Sequence, residues 1–245
     1  MKLKAFKQIR IIVVGLMFVQ IPILIAGTSS LSSIKEYSAL LKNSCNTTTH
    51  TASEIYESMQ LAAEGLSSDA FQKAWQGYQQ LSHNGELPRE DIITIADFSK
   101  PSSEKRLFII DLLHKKVVFK SLVAHGKNSG QLYANSFSNQ PETNKSSLGF
   151  FLTLNSYNGE NGFSLRLKGL EKNINDKAYE RAIVMHGAPY VSENKIRQQG
   201  FLGRSLGCPA VPASSAKNII KTIKNGSLIF IYHPSSQYVK QSQLI

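Results

Sequence analysis

The sequence contains little cysteine, little tryptophan and few acidic residues. Only two cysteines, Cys45 and Cys208, and one tryptophan occur among its 245 residues. Two cysteines are too few for a disulfide-rich scaffold, and no Cys-x-x-Cys or His-x-x-x-His spacing indicates a metal site. We therefore predict no metal and no cofactor. A disulfide between the two cysteines is the structural alternative to a reactive thiol.

The shortage of acid leaves the chain strongly basic. Seventeen acidic residues stand against 28 lysines and arginines, which gives a net charge of +11. This excess favours an acidic partner, such as an anionic polymer, a membrane surface or a carboxylate-rich substrate. The sequence has no basic helix, zinc pattern or aromatic RNA-binding motif, so we expect no nucleic-acid partner.

The first 28 residues contain no acid at all. Residues 1–10 are basic and residues 11–26 are almost wholly apolar, apart from an interruption at Pro22. This layout is typical of a secretory signal peptide, and the apolar run is short for a membrane span. We interpret residues 1–27 as a signal peptide, with inner-membrane anchoring by residues 11–26 as the alternative. Either interpretation predicts export to the periplasm or cell envelope.

The rest of the chain changes its periodicity twice. Residues 28–50 resemble a linker, and residues 51–87 have the apolar spacing of a helical hairpin, with a first helix that runs to Gly65. Residues 88–235 are predicted to form a mainly β domain with a few helices (α+β), followed by a tail at 236–245. A helix is expected between Pro212 and Gly226, and a long functional loop at 126–147. The predicted strands cover 92–96, 106–112, 117–124, 148–154, 163–167, 182–185 and 227–232.

Chemistry is concentrated at two short motifs. Cys208 follows Gly207, and a residue without a side chain at that place lets backbone N–H groups approach the thiol and an oxyanion. His186 ends an apolar run, is followed by Gly187 and could serve as a general base. Ser205 could hydrogen-bond to the histidine or merely close the turn. The pattern predicts a cysteine–histidine acyl-transfer centre.

His125 is the competing histidine. It also ends a predicted strand, is followed by Gly126 and borders the 126–147 loop. We therefore consider it a candidate for the lining of the substrate cleft.

Three segments carry a family resemblance: residues 181–188, 200–210 and 97–102, with support from 123–130 and 146–150. They resemble the murein L,D-transpeptidase catalytic domain family, a divergent relative of the YkuD-type enzymes. The resemblance implies a β-rich domain that acts on peptidoglycan stem peptides. It also implies that a cysteine acyl-enzyme releases D-alanine and forms 3-3 cross-links between diaminopimelate residues.

Transferred to this sequence, the resemblance makes Cys208 the nucleophile and His186 the base. Ser205 joins them in the catalytic group, with Gly207 and Gly187 as loop-shaping or oxyanion positions.

One departure from the family pattern affects the acceptor. Pro209 and Ala210 stand where better-known members have an aliphatic residue and an arginine. We expect Arg204, Arg197 or Lys195 to contact the carboxylates of the stem instead. Because the departure affects the choice of acceptor, an L,D-carboxypeptidase or amidase on the same scaffold is one alternative to a transpeptidase. A non-catalytic module that binds the cell wall, with Cys208 bridged or inert, is the other.

Overall fold

The computed structural model describes residues 51–245. The predicted signal segment, the linker and Cys45 lie outside these residues. The described part contains eight strands and five helices. The strands are β1 (Ile92–Asp97), β2 (Leu107–Asp111), β3 (Lys116–Ser121), β4 (Gly149–Gly159), β5 (Gly162–Gly169), β6 (Val184–Ala188), β7 (Ala210–Pro212) and β8 (Leu228–Tyr232). The helices are α1 (Ala52–Ser58), α2 (Ser68–His83), α3 (Glu193–Gln199), α4 (Ala213–Ile223) and α5 (Ser236–Gln241).

All eight strands form one mixed sheet in the order β3-β2-β1-β8-β4-β5-β6-β7. The pairs β1–β8 and β6–β7 are parallel, and the other five are antiparallel. The segment after β3 then reaches β7, where Ala124 N–H donates to the Ala210 carbonyl at 2.8 Å. The segment that follows the edge strand β3 therefore lies against β7, the strand at the other edge of the sheet, next to the loop that carries Cys208. The predicted α+β class, dominated by β structure, is confirmed.

The helical hairpin packs on the sheet as part of the same core. Phe71, Ala74 and Leu81 of α2 belong to one buried cluster with residues of the central strands. At Gly77 the helix approaches so closely that a Cβ atom would lie 2.2 Å from the ring of Phe150 on β4. The hairpin predicted to pack on the main body therefore shares one hydrophobic core with the sheet.

The first helix is shorter than predicted. Thr51 caps it with the expected capping box, but it ends at Ser58, and Gln60 has a φ of +51°. This left-handed conformation stops an α-helix, because it costs an L-residue energy and turns the backbone away from the helical path. Residues 59–65 continue as turns that bring Met59 and Leu61 into the core.

Three short elements were not predicted: α3, β7 and α5. Helix α3 has the cap Ser192 and the left-handed terminator Gly200, yet none of its residues is buried, so it carries no apolar periodicity. Strand β7 has only three residues. Helix α5 lies in the predicted tail, where Tyr238 is buried and donates to the Glu171 carboxylate at 3.1 Å. The C-terminus is therefore packed against the domain.

Among residues 51–245, no helix has the length and apolar character needed to cross a membrane.

Candidate active site

The loop before Cys208 is held by the hydroxyl of Ser205. This hydroxyl donates to the carbonyl of Cys208 at 2.6 Å and accepts from the N–H of Gly207 at 3.1 Å. Ser205 is 5% exposed, and its bond to the Gly207 N–H is buried. Ser205 therefore closes the turn around the cysteine. It makes no hydrogen bond to His186.

Gly207 has a backbone conformation that glycine favours. Its φ is +128°, and a Cβ atom there would lie 2.9 Å from the carbonyl oxygen of Lys145. Its carbonyl accepts from the Ser146 hydroxyl at 3.0 Å, which ties the cysteine loop to the 126–147 loop. Because its N–H is already bonded to Ser205, Gly207 shapes the loop and does not offer the oxyanion donor that the sequence suggested.

His125 supports the same loop through its backbone. Its carbonyl accepts from the N–H of Ser205 at 3.0 Å. Its ring is wholly buried: Nδ1 accepts from Arg106 at 2.7 Å and Nε2 lies 3.2 Å from the carbonyl oxygen of Gly130. Burial, with the nearby charge of Arg106, lowers the pKa of His125 to about 4. The prediction that His125 lines the substrate cleft is therefore wrong, because both ring nitrogens are occupied inside the protein.

Cys208 carries a free, half-buried thiol beside β6. The N–H of Val184 lies 3.5 Å from the sulfur, and the sulfur lies 3.8 Å from the carbonyl oxygen of Ala182. Burial raises the pKa of Cys208. The N–H groups of Val184 and of Cys208 itself, together with the positive charge of Arg181, act in the opposite direction. Burial outweighs these effects, so the site favours the thiol over the thiolate.

His186 lies on the strand that borders this thiol. It stands two residues after Val184 and pairs in register with Ala210 of β7, itself two residues after Cys208. The strand begins only at Val184, because Ala182 has a φ of +52°, so His186 lies within the strand and not at its end. Two residues of strand span about 7 Å and return to the same face of the sheet. Cys208 and His186 are thus neighbours in the fold.

The tautomer of His186 follows from its hydrogen bond. Nδ1 lies 3.1 Å from the carbonyl oxygen of Gly187. A carbonyl only accepts, so Nδ1 carries the proton and Nε2 is left with a lone pair. Gly187 also lies close to α4, where a Cβ atom would meet that of Ala216 at 2.8 Å. Gly187 therefore contributes a backbone contact that orients the histidine.

Two residues near the thiol were missed in the sequence. The charge of Arg181 acts on Cys208, and its guanidinium donates to the carbonyls of Ser138 and Lys145, both at 2.7 Å. Tyr190 follows β6, and burial together with the charge of Cys208 raises its pKa to about 12. Arg181 had a usable signal, since it lies five residues before His186 in the same motif. Tyr190 had no such signal beyond its place in the sequence shortly after β6.

The two arginines expected to bind substrate lie on the surface. Arg204 is exposed, and its guanidinium is 3.4 Å from the carbonyl oxygen of Gly130 and 5.6 Å from the ring centre of Phe201. Arg197 is exposed near the end of α3. The cation whose charge acts on Cys208 is Arg181, not Arg204 or Arg197.

The comparison with known families agrees with this geometry. The L,D-transpeptidase catalytic domain matches residues 62–232. The chain belongs to the L,D-transpeptidase catalytic domain family. The match spans both motifs, from α2 to the end of β8, and the resemblance drawn from the sequence is thereby confirmed.

Solved structures with a similar fold include further L,D-transpeptidases. One from Mycobacterium smegmatis is 14% identical with a TM-score of 0.38, over 58% of this chain and 59% of that one. The helical cell shape determining protein Pgp2 from Campylobacter jejuni is 16% identical with a TM-score of 0.39, over 66% of this chain and 57% of that one. The L,D-transpeptidase domain described here thus spans under two thirds of the length of these chains. No functionally curated protein sequence matches the chain.

Proposed function

We propose that this chain is an exported peptidoglycan L,D-transpeptidase that works through a cysteine acyl-enzyme. The observation that carries the proposal is the arrangement of His186. Its Nδ1 is fixed by the carbonyl of Gly187 at 3.1 Å, while the neighbouring loop holds Cys208 against the same strand. Membership of the family supplies the substrate class, the stem peptides of peptidoglycan.

In the first half-reaction, Nε2 of His186 takes the proton of the Cys208 thiol. The sulfur attacks the carbonyl carbon of the third residue of a tetrapeptide stem, in the amide that joins this residue to the terminal D-alanine. The carbon–nitrogen bond then breaks, D-alanine leaves with the proton returned by His186, and a thioester remains on Cys208. A base is required because burial raises the pKa of this thiol.

In the second half-reaction, the side-chain amine of diaminopimelate on another stem attacks the thioester. The amine loses a proton to His186, the new amide forms and the thiol of Cys208 is restored. The product is a 3-3 cross-link. Attack by water instead would release a tripeptide, which is the outcome expected of a carboxypeptidase.

Several neighbours support this chemistry without taking part in bond making. Ser205 and Gly207 hold the loop at the cysteine, through the two hydrogen bonds of the Ser205 hydroxyl. Arg181 adds a positive charge that favours the thiolate. We assign Arg181, rather than Arg204 or Arg197, to the attraction of a stem carboxylate, because its charge is the one that acts on the reacting sulfur.

Export is part of the proposal. The basic, then apolar, first 27 residues are those of a signal peptide or an N-terminal anchor. Both place the catalytic domain in the periplasm or cell envelope, where its substrate is found.

The test is a reaction of the full-length chain with purified disaccharide tetrapeptide, followed by mass spectrometry of the products. We expect free D-alanine and a cross-linked dimer from the wild type, and neither from Cys208→Ser. The matched control is Cys45→Ser, which removes the other cysteine of the chain and should retain activity.

Each result has a definite meaning. Tripeptide without dimer would overturn the transpeptidase assignment in favour of a hydrolase. Full activity in Cys208→Ser would overturn the acyl-enzyme itself. No reaction in the wild type, with the stem still bound, would favour a wall-binding module.

A further inference from the structure

A cleft whose lining does not include Cys208 lies beside helix α5. It has a volume of about 370 Å³ and is formed by the 135–140 segment, the turn at 173–174 and helix α5. None of the residues that line it is charged, although the chain as a whole carries a net charge of +11. An uncharged lining in a basic protein is unsuited to a carboxylate or phosphate ligand.

The polar groups of this cleft are mainly side-chain amides. Those of Asn135, Asn173, Gln237 and Gln241 make no hydrogen bond within residues 51–245. Each free amide offers two donors and one acceptor. Four of them facing one cleft match a ligand that has many neutral donors and acceptors.

Two further amides in the cleft are already bonded and hold its wall in place. Asn139 donates to Asp176 at 2.6 Å and accepts from the N–H of Lys177 at 3.2 Å. The Gln140 side chain lies 3.4 Å from the ammonium of Lys177. The wall is therefore fixed, while the four free amides remain available for a ligand.

The cleft also has an apolar face. Phe137, Leu148 and Ile174 contribute to its lining, and the ring of Phe137 is supported by His233 at a centroid distance of 5.0 Å. A sugar ring has the complementary character, with C–H groups on its faces and hydroxyl or acetamido groups at its edge. An aromatic face and a few placed polar groups are what fix the orientation of such a ligand.

We propose that this cleft binds an uncharged N-acetylated sugar. That this sugar belongs to the glycan strand of peptidoglycan rests on the proposed function. The ligand would meet Phe137 with a ring face and the four free amides with its polar edge.

The cleft and the cysteine loop are joined through shared contacts. Ser138, which lines the cleft, accepts from Arg181 at 2.7 Å through its carbonyl. The same arginine donates to Lys145, whose neighbour Ser146 bonds to Gly207 at 3.0 Å. The segment that lines the cleft is therefore linked by hydrogen bonds to the loop that carries Cys208.

The experiment is a calorimetric titration of the full-length chain with chitotetraose, a tetramer of N-acetylglucosamine. We expect binding by the wild type and at least tenfold weaker binding by the double variant Gln237→Ala, Gln241→Ala. Both side chains are exposed on α5. The matched control is Gln76→Ala, Gln79→Ala on α2, which also removes two exposed and unbonded amides and should leave the affinity unchanged.

A second variant lies outside helix α5, so that weaker binding cannot be due to a disturbed helix. Asn173→Gly removes another free amide while keeping the backbone, whose φ of +65° glycine readily adopts. It should also weaken binding. Equal affinity in the wild type and both cleft variants, or no binding by the wild type at millimolar sugar, would overturn the inference.

The two proposals fail separately. The titration is repeated with Cys208→Ser, which cannot form an acyl-enzyme and should still bind the sugar. A wild-type chain that binds chitotetraose but yields no stem product would overturn the proposed function alone. One that forms cross-links but does not bind the sugar would overturn this inference alone.

Discussion

Replacement of Ser205 by alanine tests how the cysteine loop is built. The variant removes a hydroxyl that donates to the carbonyl of Cys208 and accepts from the N–H of Gly207. An unsatisfied buried polar group costs about 1–3 kcal/mol. Because Cys208 is half-buried, its carbonyl can regain some solvation, so we expect the free energy of unfolding to fall by about 2 kcal/mol.

The assay is urea unfolding followed by the fluorescence of Trp75. This is the one tryptophan in the chain, and it packs on Phe71 in the core. With a denaturant slope of about 2 kcal/mol per molar, the expected loss moves the midpoint down by about 1 M urea. The control is Ser214→Ala, an exposed serine of α4, for which a change within about 0.5 kcal/mol is expected.

A different result would show that Ser205 acts chemically. If Ser205→Ala unfolds at the wild-type midpoint yet loses its reaction with the stem peptide, the hydroxyl is needed for the reaction and not for the loop. That outcome would refute the reasoning from the two hydrogen bonds. It would return Ser205 to the catalytic group that the sequence suggested.

Two further predictions concern charge. Arg181→Gln removes a cation that lowers the pKa of Cys208, so the midpoint of the pH profile for thiol alkylation should rise and labelling at pH 7 should slow. Arg181→Lys should recover part of the rate, and an unchanged profile in both would contradict the role of the charge. Burial raises the pKa of Glu171, so the folded state holds this proton more tightly than the unfolded state. The free energy of unfolding should therefore fall as the pH rises from the ordinary glutamate pKa through the raised one. Glu171→Gln should flatten this part of the plot of urea midpoint against pH. Identical plots for the wild type and the variant would contradict the role of Glu171.

The sequence predicted the elements whose signals are local. Alternating or continuous apolar runs located seven of the eight strands, and the capping box located the start of α1. Its end was missed because the left-handed Gln60 has no signal in the sequence. Helix α3 was missed because a helix with no buried residue has no periodic apolar face.

The site was predictable to a similar degree. Cys208 and His186 were predicted because Cys208 lies in a turn directly after a glycine, and His186 ends an apolar run directly before one. Arg181 was overlooked because its effect depends on the fold of residues 171–183, which returns the guanidinium to Ser138 and Lys145. Its place in the His186 motif was visible in the sequence, but contacts that span 43 and 36 positions cannot be read from spacing.

The two histidines show why local pattern was insufficient. His125 and His186 both precede a glycine and both follow an apolar run, so the sequence treats them alike. Arg106 decides the difference, since it occupies Nδ1 of His125 at 2.7 Å and leaves Nε2 to face Gly130. His186 instead gives its Nδ1 proton to the next carbonyl along the chain and has no partner for Nε2 within residues 51–245. A ring nitrogen left without a partner, rather than a histidine–glycine pair, is what makes His186 the better candidate for the base.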